Sequence, residues 1–199
     1  MLGWCISHKL IALAESALRI LGVSGSIRKR SFNTALLEEA KSLLPEDCTL
    51  EIADLSSMPL YSQDLEAALP ESVRVFKEKI QNADAILFAT TEHNFSITAV
   101  LKNAIEWGGR PADDNSWDGK PAAIISASTS PRGGVRAQLH LRQILVDLNI
   151  HALNEPALIL GNAELSFDAN VRLTDERARN SLKAVLEALV AWSAKIQAH

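Results

Sequence analysis

At 199 residues, 47% hydrophobic and 22% charged, the chain has the length and mixture of one globular domain with a full core. Its formal net charge of −4 excludes a global basic field for nucleic acid, and Arg28-Lys29-Arg30 is too short a run to supply one. Cys5 and Cys48 form no CxxC pair, and the five histidines fall at no ligand spacing, so neither a disulfide framework nor a metal is required.

The opening MLGWCISHKLIALAE is apolar but broken by His8, Lys9 and Glu15. Its charges are out of order for a secretory signal and its apolar run is too short for a bilayer span. We read residues 1–17 as an N-terminal extension and 18–199 as a single domain. Leu18, Ile20, Leu21 and Val23 then make a short strand that breaks at Ser24-Gly25-Ser26, and a helix begins after Asn33. A strand–turn–helix of this kind aims backbone N–H groups and the positive end of a helix dipole at one point, which suits a phosphate. Ser24, Ser26, Ser31, Asn33 and Thr34 add donors, and Arg28, Lys29 and Arg30 add cations. The loop is not the dinucleotide fingerprint GxGxxG, whose third glycine is missing, nor a P-loop, so a mononucleotide is the better match. An ordinary capped turn would have the same spacing.

Further along, the spacing predicts a helix over 34–44 stopped by Pro45, a strand over 49–55, a wrapping loop over 56–69 and a helix over 70–82. Residues 83–90 are nearly continuous apolar residues, as in a parallel strand covered on both faces. The polar loop 91–96 leads to a helix over 97–107 with two apolar faces, the second of which requires another cover and so suggests a partner subunit. A strand over 121–127, the loop 128–134, a helix over 135–149 and a strand over 151–160 interrupted by Pro156 follow. The last helix is expected to be capped by Thr174 and to pack through Leu182, Val185, Leu186, Leu189 and Ile196. Strand and helix thus alternate five times. The fold class is α/β, a flavodoxin-like doubly wound five-stranded parallel sheet in the order 2-1-3-4-5 with helices on both faces. In that order ligands bind outside the strand C-termini between the first and third strands, where the loops after strands one, three and four meet.

Three segments carry a resemblance. Ser24-Gly25-Ser26-Ile27-Arg28-x-x-Ser31-Phe32-Asn33, then Glu92-x-Asn94-x-Ser96 running into Val100-Leu101-Lys102-Asn103-Ala104-Ile105-Glu106-Trp107, then Gly133-Gly134-x-Arg136-x-Gln138-x-His140-Leu141-Arg142-Gln143 occur in this order. Together they resemble the NADPH-dependent FMN reductases, flavodoxin-like proteins that include quinone, azo-dye and chromate reductases. The resemblance covers residues 18–192. It implies FMN as cofactor, with NADPH or NADH as co-substrate, and ping-pong transfer of electrons to a quinone, azo compound, metal oxyanion or flavin. Carried over by position, Ser24, Ser26, Arg28, Ser31, Phe32 and Asn33 would hold the phosphate and ribityl end. Glu92, His93, Asn94 and Phe95 would border the isoalloxazine, and Ser128 with Gly133 and Gly134 would close the other edge. Hydride transfer between nicotinamide and flavin needs no acid or base from the protein, so no catalytic residue and no metal is expected. A cytoplasmic homodimer or homotetramer, acting on small molecules without nucleic acid or membrane, completes the expectation.

The chain departs from the family pattern at Thr91 and His93, where Pro and Tyr are usual, and at Thr98-Ala99, where Pro-Gly is usual. The lost prolines free the unfolded chain, and the lost glycine adds a Cβ. His93 is placed to stack or hydrogen-bond at the site mouth, or else is an exposed loop histidine, and Arg132 and Arg136 either meet a 2′-phosphate or form a solvated helix start. An electron carrier or flavin sensor without turnover is the alternative, although carriers of that kind tend to be more acidic. A hydrolase is disfavoured: Gly22-Val23-Ser24-Gly25-Ser26 approaches GxSxG, but Ser26 stands where the last glycine belongs.

Overall fold

The computed structural model describes residues 17–198, so the proposed N-terminal extension, apart from residue 17, lies outside the described residues. Its elements are β1 (Leu18–Ser24), α1 (Phe32–Leu43), β2 (Cys48–Ile52), α2 (Glu71–Asn82), β3 (Ala85–Thr90), α3 (Ala99–Gly108), β4 (Pro121–Ala127), α4 (Val135–Asp147), β5 (His151–Ala152), β6 (Leu158–Leu160) and α5 (Glu176–Gln197). All strand pairs are parallel, and the order β2-β1-β3-β4-β5 is the expected one. β1 lies between β2 and β3 with Ile20 opposite both Leu50 and Ala85.

Period-two alternation along the central strands divides the core into two layers. Leu21, Val23, Ile86, Phe88 and Ile124 face Phe76, Ile80, Leu101, Ile105, Leu141 and Leu145 from α2, α3 and α4. Ile20, Leu87, Ala123 and Ile125 face Leu36, Leu37, Leu182, Val185, Leu186 and Leu189 from α1 and α5. Every residue of β3 and β4 is buried, which is why these strands carry no polar alternation.

Besides shifts of one to three residues at the ends of α1, β2, α2, β3 and α4, which put Asn33 inside α1 rather than before it, four features differ from expectation. The fifth position of the sheet is split: β5 pairs with Pro121–Ala122 and β6 with Ile125–Ala127, and the intervening segment leaves the sheet around Pro156, which has no N–H to give to a ladder. The wrapping loop contains a 3₁₀ turn over Gln63–Ala68, capped by the Ser62 hydroxyl. α5 is capped by Asp175 rather than Thr174, its carboxylate accepting from the N–H groups of Arg177 and Ala178. α3 starts two residues late, at Ala99, because the Thr98 hydroxyl accepts from Leu101 N and caps it.

The second apolar face of α3 is covered within the chain. Pro59 O accepts from Trp107 Nε1 at 2.8 Å and from Asn103 Nδ2 at 2.9 Å, and Tyr61 meets the Trp107 ring edge-on. That face therefore gives no argument for a second subunit.

Candidate active site

The loop after β1 is shaped by its own hydroxyls. Ser24 Oγ is buried, shares a hydrogen bond of 2.8 Å with Thr34 Oγ1 and accepts from Ser26 N. Ser26 Oγ accepts from Arg28 N at 3.3 Å. Ser31 caps α1 by accepting from Thr34 N and keeps its own proton for a ligand. At the helix start, the N–H groups of Phe32 and Asn33 have no intrahelical acceptor. No acidic residue stands in the first turn of α1. Arg28 and Lys29 have no carboxylate within ion-pair distance among the described residues. A bare helix N-terminus beside two uncompensated cations, in a chain of net charge −4, fits a phosphate.

The loop after β3 is a two-residue turn. His93 and Ser96 exchange backbone hydrogen bonds of 3.0 and 2.9 Å, and Asn94 and Phe95 between them have φ of 49° and 68°. Two positive φ values in this position are the signature of a type I′ turn. The turn leaves the N–H groups of Asn94 and Phe95 outside its own bonds, so they can face the electron-rich edge of a bound ring. Glu92 turns the other way. Its carboxylate accepts from Arg136 Nε at 2.7 Å and Arg136 N at 3.2 Å, and pairs with the guanidinium Nη2. Burial pushes this carboxyl up, but Arg136 and the backbone N–H groups of α4 outweigh it and hold Glu92 below the ordinary carboxylate range. Arg136 also stacks on Phe95, 3.7 Å from the ring centroid. Its guanidinium is thus engaged by Glu92 and Phe95 rather than free for a 2′-phosphate. Arg132 is exposed.

The loop after β4 is fastened at its glycines. Gly133 and Gly134 have φ of 63° and 89°, and a Cβ at Gly133 would overlap Gly161 N and Ile159. Ser126 Oγ donates to Gly133 O at 2.6 Å and accepts from Gln138 Nε2, which also donates to Leu158 O. Ser128 Oγ accepts from Ser130 N.

Hydrogen bonds between the loops bring all three to one crevice. Asn33 Nδ2 donates to Thr91 Oγ1 at 3.0 Å and to Ala127 O at 2.9 Å, and its Oδ1 accepts from Ala127 N. Thr98 Oγ1 donates to Gly25 O at 2.7 Å, and His140 Nδ1 meets Ser96 Oγ at 3.1 Å. Two expectations change accordingly. Asn33 uses both amide protons inside the protein and serves as a tie between strand ends, leaving only its backbone N–H for a phosphate. Glu92 lies in the site loop but binds α4. Thr98, Ser126, Gln138 and His140 were not singled out from the sequence as site residues. A threonine directly ahead of an apolar helical run was the available signal for Thr98, and Gln138 and His140 stand in the third motif; the partner of each, and the part of Ser126, depend on contacts between separate elements. Ser24 Oγ is hydrogen-bonded to Thr34 and Ser26 and to no histidine among the described residues, so it has no base to make it a hydrolase nucleophile.

Among the described residues no cluster of metal-ligating groups occurs, and no helix is long and apolar enough to cross a membrane. The sequence profile of NADPH-dependent FMN reductases matches residues 18–165. An NAD(P)H-dependent FMN reductase of Pseudomonas aeruginosa is 46% identical over 181 residues, 90% of this chain and 97% of that protein. An NADPH:quinone oxidoreductase of Arabidopsis thaliana is 44% identical over 194 residues, 94% of this chain and 97% of that protein. The solved structure of the flavoenzyme NAD(P)H:(acceptor) oxidoreductase FerB from Paracoccus denitrificans superposes with a TM-score of 0.83 at 32% identity, covering 89% of this chain and 98% of that one. On the profile match and these likenesses over nearly its whole described length, the chain belongs to the NADPH-dependent FMN reductase family.

Proposed function

We propose that this protein is an FMN-dependent NAD(P)H oxidoreductase whose electron acceptors are quinones and related small molecules. The observation that carries the reading is the set of hydrogen bonds joining the loops after β1, β3 and β4 around the bare N-terminus of α1. FMN, when bound, supplies the carrier that accepts hydride from NAD(P)H and passes two electrons to the acceptor. The protein's own part is to bind and orient. Ser26, Arg28, the Ser31 hydroxyl and the backbone N–H groups of Phe32 and Asn33 hold the phosphate, with Ser24 shaping the loop. His93, Asn94 and Phe95 border the ring on one edge, kept in place by Glu92, while Ser128 with Gly133 and Gly134 closes the other. No side chain is required to move a proton to the ring, and the acceptor takes its remaining protons from water. A homodimer in the cytoplasm, or a homotetramer built from it, is the setting we infer, working on small molecules without nucleic acid.

Titration of the purified protein with FMN, removal of excess and one addition of NADPH tests this. A retained flavin spectrum that bleaches on NADPH and returns with quinone is expected. Steady-state lines at several quinone concentrations should be parallel in double-reciprocal form, since NAD(P)⁺ leaves before the acceptor enters. A protein that retains no flavin at micromolar concentration, or that holds flavin NADPH cannot bleach, would overturn the assignment.

A further inference from the structure

We propose that Thr98 and Thr91 are positioning residues that couple the loop beside the flavin ring to the loop that holds its phosphate; this rests on the site reading above. The segment 91–98 carries a threonine at each end, and each hydroxyl leaves the segment for the phosphate side of the crevice. Thr98 is 5% exposed. Its single proton goes to Gly25 O at 2.7 Å while its oxygen accepts from Leu101 N at 3.2 Å. One hydroxyl therefore caps α3 and fixes a peptide of the β1 loop. Gly25 N meanwhile donates to Ala89 O at 2.8 Å. Both backbone polar groups of Gly25 are thus set by the chain running from β3 into α3. The approach is close enough that a Cβ on Gly25 would sit 3.0 Å from Thr91 N.

Thr91 does the same at the other end. Its oxygen accepts from Asn33 Nδ2 at 3.0 Å, and the rest of that amide is bound to the backbone of Ala127. Asn33 is the second residue of α1, inside the turn whose free N–H groups face the phosphate. A shift of segment 91–98 therefore moves Gly25 and Asn33 together, and with them the phosphate donors. The family pattern has proline at both positions, and proline has no hydroxyl with which to make either bond. Where that pattern restricts the segment through the backbone, this chain ties it to the neighbouring loop.

Riboflavin lacks the phosphate but presents the same ring, so the ratio of riboflavin to FMN dissociation constants reads the phosphate loop alone. General destabilisation weakens both ligands alike and leaves the ratio unchanged. Flavin-fluorescence titrations of the full-length apoprotein with each ligand supply it. Leaving the buried Gly25 carbonyl without a donor costs enough that Thr98→Val should lower the ratio about tenfold. Thr98→Ser, which keeps both bonds, should stay within about twofold of the parent, well under the tenfold step of a lost buried bond. Thr91→Val removes the acceptor for Asn33 without touching the helix cap, and it should lower the ratio in the same direction; it also serves if Thr98→Val fails to fold. A ratio in Thr98→Val or Thr91→Val equal to the parent's, or a Thr98→Ser protein that falls as far as Thr98→Val, would overturn the coupling. A parent protein that binds riboflavin as tightly as FMN would instead overturn the site reading beneath it.

Discussion

Glu92 shows how one side chain can lie in a cofactor loop and yet serve its neighbour. With 8% of its side chain exposed, the carboxylate is compensated by the guanidinium and backbone N–H of Arg136. Glu92→Gln leaves Arg136 part-buried without its counter-charge, and the loss should be about 2 kcal/mol at neutral pH, in the range for charge-assisted bonds. The sign of its pH dependence follows from the lowered carboxyl. A group whose pKa is depressed by folding contributes stability above its unfolded value, near 4.3 for a glutamate, and loses it as pH falls through the folded value. Urea midpoints of the two proteins should therefore differ at pH 7 and converge below about pH 4, where the unfolded carboxyl and then the folded one take up a proton. A gap that stays constant across the acid range would show that the charge of Glu92 is not what stabilises the loop. The motif Glu92-x-Asn94-x-Ser96 was legible in the sequence. Its partner was not, because Arg136 stands 44 positions away and the pairing exists only once β3 and β4 are adjacent.

At the scale of elements, α3 concentrates what sequence periodicity can and cannot tell. Its two apolar faces were plain, and so was the need for a second cover. That the cover is the chain's own segment around Pro59 and Tyr61 was not, since a run of few regular signals gives no direction. The C-terminal end of α3 is held by a residue with no sequence signal. Lys77 on α2 reads as one more charge between Phe76 and Ile80, yet its side chain is 4% exposed. Its Nζ donates to Arg110 O and Asp114 O, both at 2.7 Å, and to Gly108 O at 3.4 Å. A cation can be buried there because Arg110 O and Asp114 O, past the helix end, have no backbone donor of their own, whereas Gly108 O also accepts from Ser116 N at 2.9 Å, and the Asp114 carboxylate lies 3.3 Å away. Lys77→Met keeps the apolar stem but orphans Arg110 O and Asp114 O. A loss of about 2–3 kcal/mol is expected, since each buried acceptor left without its donor costs about 1–3 kcal/mol. Chemical denaturation checks it, and a midpoint unchanged from the parent would refute it. FMN affinity should fall less than stability, since this end of α3 points away from the crevice.

For the whole molecule, the order of the sheet was readable because the central strands are apolar throughout and every crossover is helical, which leaves few topologies for a parallel sheet. The split of its last position was readable only as an interruption at Pro156. Assembly must be argued from surface. The face of α3 once expected to meet a partner is occupied, but α4 exposes Leu139 at 60% and Val146 at 78%, seven residues apart and so on one side of the helix. Beside them runs a cleft of about 490 Å³ between α3 and α4, lined by Lys102, Glu106, Arg110, Gln143 and Asp147. Apolar side chains next to acids and bases on a single surface are what a two-fold interface needs, since each group meets its complement on the other copy. Light scattering at micromolar concentration should give twice the chain mass of 21.6 kDa, or a multiple of that dimer. Val146→Glu, which sets a charge in the exposed apolar patch, should return the mass to that of one chain while leaving the melting transition of the monomer intact. A wild-type protein that scatters as a single chain would dismiss this interface, and a Val146→Glu protein that remains dimeric would move it to another face of the fold.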